Sequence, residues 1–305
     1  MRPANIITAI ADIMAGFAVA VQSGMNLDIN MEGLNISRLG YTYGIQASAD
    51  YTDLLMLILS TIGLYGGGVV FNDVFDAALD ATERPERPIP SGRATLSGAI
   101  MLGIILLLMG IACAFVVSVT SGIIAAVIAI LALLYDKFGK HHSLIGPINM
   151  GACRGGNLLL GISATVGAIE QYWFMALIPI IYIAAITTIS RGEVHGGNSS
   201  ALYLAFVLYT IVISSIMILS MMSKISYWQV VPFLALFAFL IFPPLYKALQ
   251  DRRPQYIGKA VKAGIIALIV MDAALAAGFA GWVYALFILA LLPISRLLAR
   301  TFAVT

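Results

Sequence analysis

The stretch GGVVFNDVFDAALDATERPERPIPSGR, residues 67–93, turns an apolar run into a cluster of charged groups. The run ends in three aspartates, Asp73, Asp76 and Asp80. On a helix with about 100° per residue, Asp76 lies about 60° and Asp80 about 20° from Asp73, so the carboxylates share one face. Because Arg84 precedes Pro85, we expect the helix to end at this point.

The composition of the chain predicts an integral membrane protein. The 305 residues are 61% hydrophobic and only 10% charged, and the mean hydropathy is +0.97. So few charges cannot supply the polar surface that a soluble fold of this length needs. Without a linker, repeat or low-complexity tract, residues 1–305 are predicted to form a single membrane domain. The net charge of +2 and the lack of a basic and aromatic patch argue against nucleic acid as a partner.

Apolar segments long enough to cross a bilayer, roughly 20 residues each, predict nine or ten membrane spans. They lie at about residues 6–22, 53–71, 95–118, 121–135, 145–168, 172–189, 201–222, 227–246, 260–280 and 281–299. With ten spans, all but three of the 17 Lys and Arg residues fall on one side; the exceptions are Arg38, Lys224 and the intramembrane Arg154. Since cytoplasmic loops collect cations, ten spans are favoured, with both termini and the charged loops in the cytoplasm.

The aspartate cluster predicts a magnesium site. Three carboxylates at a helix end that prefers cations, and at a membrane boundary, require compensation by positive charge. Oxygen ligands suit Mg²⁺, which usually bridges one or two carboxylates to substrate phosphates, so a diphosphate substrate is implied. Three arginines just beyond are candidates to bind its oxygens, Arg84, Arg87 and Arg93. The alternative is an ion-paired helix end that needs no ligand.

The same residues resemble a known motif. Asn72 with the three aspartates, followed by RPIPSGR at 87–93, resembles the first aspartate-rich motif of the UbiA superfamily of membrane prenyltransferases. The resemblance implies an all-α integral membrane fold, a UbiA-type bundle of nine to ten transmembrane helices around a central cavity. It further implies that Asp73, Asp76 and Asp80 hold Mg²⁺, that Asp73 and Asp76 serve catalysis, and that a polyprenyl diphosphate donates its prenyl group to an acceptor.

The loop after the fourth predicted span, in LLYDKFGKHHSLIGPINMGACRGGN, provides further candidates for substrate binding. Tyr135 and Lys140 resemble the family's diphosphate-associated residues in this loop, Lys137 is a substitute for Lys140, and Asn149 fits the start of the next span. The alternative is that these cations only set the topology, because such charges belong in cytoplasmic loops.

The second aspartate motif expected after the sixth span is altered. The stretch TTISRGEVHGGNSS, residues 187–200, keeps one carboxylate, Glu193, beside Arg191, His195 and Asn198. One interpretation keeps catalysis, with Arg191 and Glu193 at the diphosphate and His195 as a general base for a polar acceptor. Asn198 is a further candidate for substrate binding in this interpretation. The other is a carrier or transporter that binds an isoprenoid diphosphate without transferring it.

Two further features refine these expectations. The combination of GPINMGACRGGNLLLGIS with SRGEVHGG resembles the EboC-like branch of the superfamily, which implies a bacterial inner-membrane protein that attaches an isoprenoid to a polar small-molecule precursor. The acceptor of the chain is expected to be a polar or aromatic small molecule. Three ionisable residues fall within predicted spans, Asp12, Arg154 and Asp272. Arg154 is therefore a candidate to bind substrate, or alternatively pairs with one of the two aspartates to fix helix packing.

Overall fold

The structure is a computed structural model that describes residues 3–32, 50–139, 145–192, 198–222 and 227–301. Within these ranges every regular element is helical. Twelve α-helices follow in chain order: α1 Pro3–Glu32, α2 Tyr51–Phe75, α3 Ala77–Glu83, α4 Leu96–Val117, α5 Val119–Leu134, α6 Ile145–Ile162, α7 Ala168–Tyr172, α8 Leu177–Ser190, α9 Ser199–Met222, α10 Val231–Gln250, α11 Pro254–Leu289 and α12 Leu291–Thr301. A π-helical turn, Tyr135–Gly139, extends α5, and short 3₁₀ turns precede α8 and α10.

Eight helical segments in the described residues are long and apolar enough to cross a membrane. They are Asn5–Ser23, Tyr51–Phe75, Leu96–Val117, Val119–Gly139, Ala168–Ser190, Ser199–Met222, Tyr227–Gln250 and Pro254–Leu298. The protein is therefore a multi-pass membrane protein, and the predicted all-helical fold class is confirmed.

The predicted span at 145–168 is not one of these eight. Its helix, α6, is interrupted by polar residues, Asn149, Arg154 and Asn157, which lower its hydropathy. All three are buried, because α6 packs against α1, α5 and α8 instead of facing lipid. Its low hydropathy thus reflects a position inside the bundle.

The last apolar segment, Pro254–Leu298, turns back on itself. At 45 residues it is long enough to cross a bilayer twice. Gly281 interrupts it with φ of +82°, a left-handed conformation that favours glycine. Arg296 lines the same small cavity as Lys262, although a straight helix would place them about 50 Å apart. If Pro254–Leu298 crosses the membrane twice and α6 is added to the eight segments, the number of crossings is ten, as the sequence predicts.

Close contact between α1 and α6 depends on two glycines. A Cβ atom added to Gly16 would lie 2.2 Å from the Leu158 carbonyl oxygen, and one added to Gly161 would lie 2.4 Å from that of Ile13. Small residues let the backbones of membrane helices approach closely. The contact brings the polar side chains of α1 within reach of those of α6.

The helix that carries the aspartate cluster ends as predicted. Asp76 separates α2 from α3, yet the backbone ladder continues through it: Asp76 N donates to Asn72 O at 3.0 Å, and Asp80 N to Asp76 O at 2.8 Å. The helix ends at Glu83, directly before Arg84 and Pro85. The helical spacing of the three aspartates is therefore kept.

Candidate active site

A cavity of about 530 Å³ lies at the end of the bundle that carries the aspartate cluster. Helices α1, α2, α3, α5, α6, α8 and α11 supply its walls. Part of the lining is polar or charged: Asn72, Asp76, Asp80, Glu83, Arg84, Arg87, Tyr135 and Asp136. Much of the remainder is apolar: Leu64, Val69, Ile128, Ala132, Ile183, Ile186, Val261, Ile265 and Leu268. Such a cavity suits an amphipathic ligand with a charged head and a hydrocarbon tail.

Arg87 bridges two of the three clustered aspartates. Its Nη1 donates to Asp73 Oδ1 and to Asp80 Oδ2, each at 3.0 Å. Asp80 is buried, whereas Asp73 is partly exposed and is not among the residues that line the cavity. Arg87 with Asp73 and Asp80 therefore forms the ion-paired helix end that was expected as the alternative to a ligand site. Asp76 and Asp80 are the aspartates of the cluster that line the cavity.

The donor set of the cavity suits magnesium. Within the described ranges, no three acidic, histidine or cysteine side chains lie close enough together to hold a metal ion by themselves. Mg²⁺ does not require such a cage, because it keeps several waters and completes its shell with substrate phosphates. The cavity wall carries four residues with oxygen atoms of the kind that Mg²⁺ binds: Asn72, Asp76, Asp80 and Asp136. The residues present thus fit a hydrated magnesium ion that bridges to a diphosphate.

Asp136 is a cavity residue that the sequence reasoning missed. It lies in the π-helical turn after α5, is 5% exposed, and accepts a hydrogen bond from Asn72 Nδ2 at 3.0 Å. Single π turns are frequent at functional sites. The signal in the sequence was a carboxylate directly after an apolar span, beside the candidates Tyr135 and Lys137.

The other candidates from this loop are placed differently. Tyr135 lines the cavity. Lys137 is exposed, with its Nζ 5.1 Å from the centre of the Phe138 ring, and does not line the cavity. Asn149 is buried in α6 beside Cys153, whose thiol is 3.8 Å from its Oδ1, and it also lies off the cavity wall. Lys140 lies outside the described residues.

The remaining candidates divide in the same way. Arg84 lines the cavity, but Arg93 is exposed and donates to Ser91 Oγ at 3.0 Å and to the Glu86 carbonyl. Arg191, at the end of α8, and Asn198, before α9, are exposed and do not line the cavity. Glu193, expected at the diphosphate, and His195, expected as a general base, lie outside the described residues.

Arg154 lies on the wall of the cavity and is also ion-paired. Its Nη1 is 2.8 Å from Asp12 Oδ2, its Nη2 is 2.6 Å from Thr8 Oγ1, and its guanidinium lies 5.8 Å from the Tyr65 ring centre. Asn157 Nδ2 donates to the same Asp12 oxygen at 3.2 Å. The structure shows the pairing with Asp12 that was one of the two expectations for Arg154. Arg154 also lines the cavity, as the other expectation, contact with substrate, requires.

The UbiA prenyltransferase family matches residues 37–257 of the chain. A digeranylgeranylglyceryl phosphate synthase of Methanosarcina mazei is 30% identical over 188 residues, which cover 61% of this chain and 63% of that protein. One of Sulfurisphaera tokodaii is 37% identical over 151 residues, covering 47% of this chain and 50% of that protein. The matches thus span half to 63% of these relatives' length. Relatives of this kind do not support the EboC-like branch.

Solved structures share the fold. A structure from a study of digeranylgeranylglyceryl phosphate synthase in membranes has a TM-score of 0.64 at 19% identity, covering 92% of this chain and 99% of that chain. A UbiA homolog from Archaeoglobus fulgidus, bound to GPP and Mg²⁺, has a TM-score of 0.60 at 12% identity, covering 90% and 99%. At these identities the likeness concerns the fold alone.

Proposed function

Because this chain belongs to the UbiA prenyltransferase family, we propose that it transfers a prenyl group from a prenyl diphosphate to a hydroxyl-bearing acceptor within the membrane. The observation that carries the proposal is the single cavity that joins the aspartate cluster to an apolar interior. A prenyl diphosphate matches this division, with a strongly anionic head and a hydrocarbon tail.

The charged residues of the cavity wall are proposed to bind the diphosphate. Asn72, Asp76, Asp80 and Asp136 would hold Mg²⁺, which when bound offsets the negative charge of the leaving diphosphate. Arg84, and Arg87 from its contact with Asp80, would donate charge-assisted hydrogen bonds to phosphate oxygens. Together they stabilise the charge that grows on the diphosphate in the transition state.

The reaction then proceeds in the apolar part of the cavity. The bond between C1 of the prenyl group and the diphosphate oxygen breaks, and the electron pair leaves with the diphosphate. The acceptor oxygen bonds to C1 and loses its proton to a base, for which His195 is the candidate. Tyr65 and Tyr135 line the cavity, and an aromatic ring whose face meets the prenyl group would stabilise allylic positive charge.

A geranylgeranylglyceryl phosphate is the first acceptor to test. The relatives are named for making digeranylgeranylglyceryl phosphate, and an acceptor of this kind would offer a glycerol hydroxyl to the prenyl cation. A polar or aromatic small molecule, the acceptor class expected from the sequence, is the second choice. We further propose that the site-bearing end faces the cytoplasm, from the distribution of Lys and Arg.

The test is pyrophosphate release and product formation by the purified protein with geranylgeranyl diphosphate, Mg²⁺ and geranylgeranylglyceryl phosphate. We expect Asp76→Asn, or chelation of Mg²⁺, to abolish release, while Glu86→Gln, a matched change of an exposed carboxylate outside the cavity, leaves it intact. Release that survives both Asp76→Asn and chelation would contradict the proposed site.

A non-catalytic carrier is the second candidate. Two observations favour it: Arg87 already offsets two of the three aspartates, and the altered second motif keeps only Glu193 as a carboxylate. A carrier would bind the prenyl diphosphate in an Asp76-dependent way yet release no pyrophosphate with geranylgeranylglyceryl phosphate or with a host small-molecule extract. Binding without release would therefore replace the transferase proposal by the carrier.

A further inference from the structure

A second cavity, separate from the candidate active site, is lined by three cations. It has a volume of about 270 Å³ and lies where α10, α11 and α12 meet. Lys259 and Lys262 from α11 and Arg296 from α12 face it, together with apolar side chains, Leu240, Ala263 and Ile266. We name this cavity the basic cleft. Its lining combines positive charge with a hydrocarbon surface.

The three cations have no anionic partner in the described part of the chain. None of them takes part in an ion pair there, and the one nearby acidic residue of the loop, Asp251, is paired with Arg253. Lys259 contacts a ring, with its Nζ 5.5 Å from the centre of Tyr256. Three like charges facing one small cavity repel each other, so a bound anion would stabilise the arrangement.

The position of the cleft adds a constraint on the ligand. Lys262 lies eight residues after Pro254, or about 12 Å along α11. Apolar side chains close to the cleft in sequence are strongly exposed, with Phe239 71% and Leu297 63% accessible, as expected for a surface that faces lipid. A ligand with a phosphate head and acyl chains would place the phosphate on the cations and the chains along this surface.

The geometry points to an anionic phospholipid site: we propose that the basic cleft binds the phosphate of a lipid headgroup through Lys259, Lys262 and Arg296. Basic pockets between transmembrane helices are a recurrent way of binding such headgroups. The proposal concerns binding only, and it stands independently of the reaction proposed for the larger cavity.

The site also has a physical connection to the larger cavity. Helix α11 forms a wall of both, since Val261, Ile265 and Leu268 line the larger cavity while the two lysines line the cleft. These two sets of positions lie on faces of α11 separated by roughly 120°. A lipid in the cleft would therefore contact one face of α11, while another face of the same helix lines the larger cavity.

The test is lipid retention by the purified full-length chain after incubation with phosphatidylcholine vesicles that contain phosphatidylglycerol as a minor component. Native mass spectrometry counts the lipid molecules that remain bound to the protein. We expect the wild-type protein to retain one phosphatidylglycerol in preference to phosphatidylcholine. The triple variant Lys259→Gln, Lys262→Gln, Arg296→Gln should lose roughly fivefold in affinity per cation, about a hundredfold together.

A matched control removes the same charge outside the cleft. The variant Lys247→Gln, Arg252→Gln, Arg253→Gln changes three exposed cations of the same loop region, none of which lines the cleft. It should retain phosphatidylglycerol like the wild type. Equal loss in both triple variants would mean that general electrostatic attraction accounts for retention, and would overturn the proposed site.

Two further arms complete the test. Inorganic phosphate is added as a competitor. A site for free phosphate would release the lipid at low phosphate concentration, and that result would overturn the assignment to a lipid.

The three substituted side chains are exposed, so the triple variant is expected to fold. If it does not, Lys262→Gln alone decides the matter: a fivefold loss supports the site, and unchanged retention excludes it.

Discussion

Arg154 Nη1 and Asp12 Oδ2 lie 2.8 Å apart and join α6 to α1 beside the larger cavity. The side chains are 10% and 1% exposed, so water contributes little to their solvation. Asn157 donates to the same carboxylate and also accepts from Thr61 Oγ1 at 2.7 Å, which links α2 to the network. The ion pair and the Asn157 hydrogen bonds thus connect three helices of the cavity wall.

We expect Arg154→Met to destabilise the protein strongly. Removing one partner of a buried ion pair leaves an uncompensated charge and typically costs about 3–5 kcal/mol. The double variant Arg154→Met, Asp12→Leu should recover much of this loss, since both charges are then gone. Thermal unfolding in detergent measures the effect, with Arg191→Met as the control for an exposed cation. A single variant that melts like the wild type would show that the pair is not structural.

Asp136→Asn should weaken Mg²⁺-dependent binding of prenyl diphosphate by about 10–100-fold, the usual range for residues around a metal. The substitution is isosteric, and the amide oxygen can still accept the hydrogen bond from Asn72, so folding should be preserved. Binding of geranylgeranyl diphosphate is measured by calorimetry with Mg²⁺ and again with chelator. If the variant binds normally, Asp136 has no part in the site. Glu86→Gln serves as the carboxylate control.

Gly161→Ala is expected to destabilise the fold. The added Cβ would lie 2.4 Å from the Ile13 carbonyl oxygen, so the backbones of α1 and α6 would have to separate. Overpacking of this kind typically costs about 1–3 kcal/mol, here with added strain on the Asp12–Arg154 pair. Gly66→Ala is the matched control, because its Cβ would meet only Leu106 Cδ1 at 3.6 Å. Equal melting temperatures of the two variants would contradict the close packing of α1 and α6.

The reversal at Gly281 predicts the sidedness of the last helices. After replacement of Cys113 and Cys153, which form no disulfide, single cysteines are introduced in place of Lys259, Trp282 or Arg296. We expect a membrane-impermeant thiol reagent to label positions 259 and 296 from the same side and position 282 from the opposite side. Labelling of 282 and 296 from one side would show nine crossings instead of ten.

Local features of the sequence anticipated much of this molecule. Hydropathy located the helices that face lipid, because the length and apolar composition that let a segment cross a bilayer are properties of that segment alone. The helix end before Pro85 followed from the steric restriction on the residue preceding proline. The shared face of Asp73, Asp76 and Asp80 followed from helical periodicity, and the backbone ladder preserves it.

Other parts of the site depend on which helices meet. Arg87 was expected to face a diphosphate, and the structure pairs it with Asp73 and Asp80. Arg93 was grouped with it because the two are close in sequence, yet Arg93 is exposed, donates to Ser91 and Glu86, and does not line the cavity. Asp136 was passed over because nothing in its own loop reveals that Asn72, 64 positions earlier, would lie 3.0 Å from it.

The sequence by itself determined that the chain is a helical membrane protein with an aspartate-rich end, since hydropathy and the 3.6-residue period act within a single segment. Only the tertiary structure decided which charges share a cavity, which pair with each other, and that α11 lies between the larger cavity and the basic cleft. These relationships join residues distant in the chain, and they arise from the close packing of helices that glycines such as Gly16 and Gly161 permit.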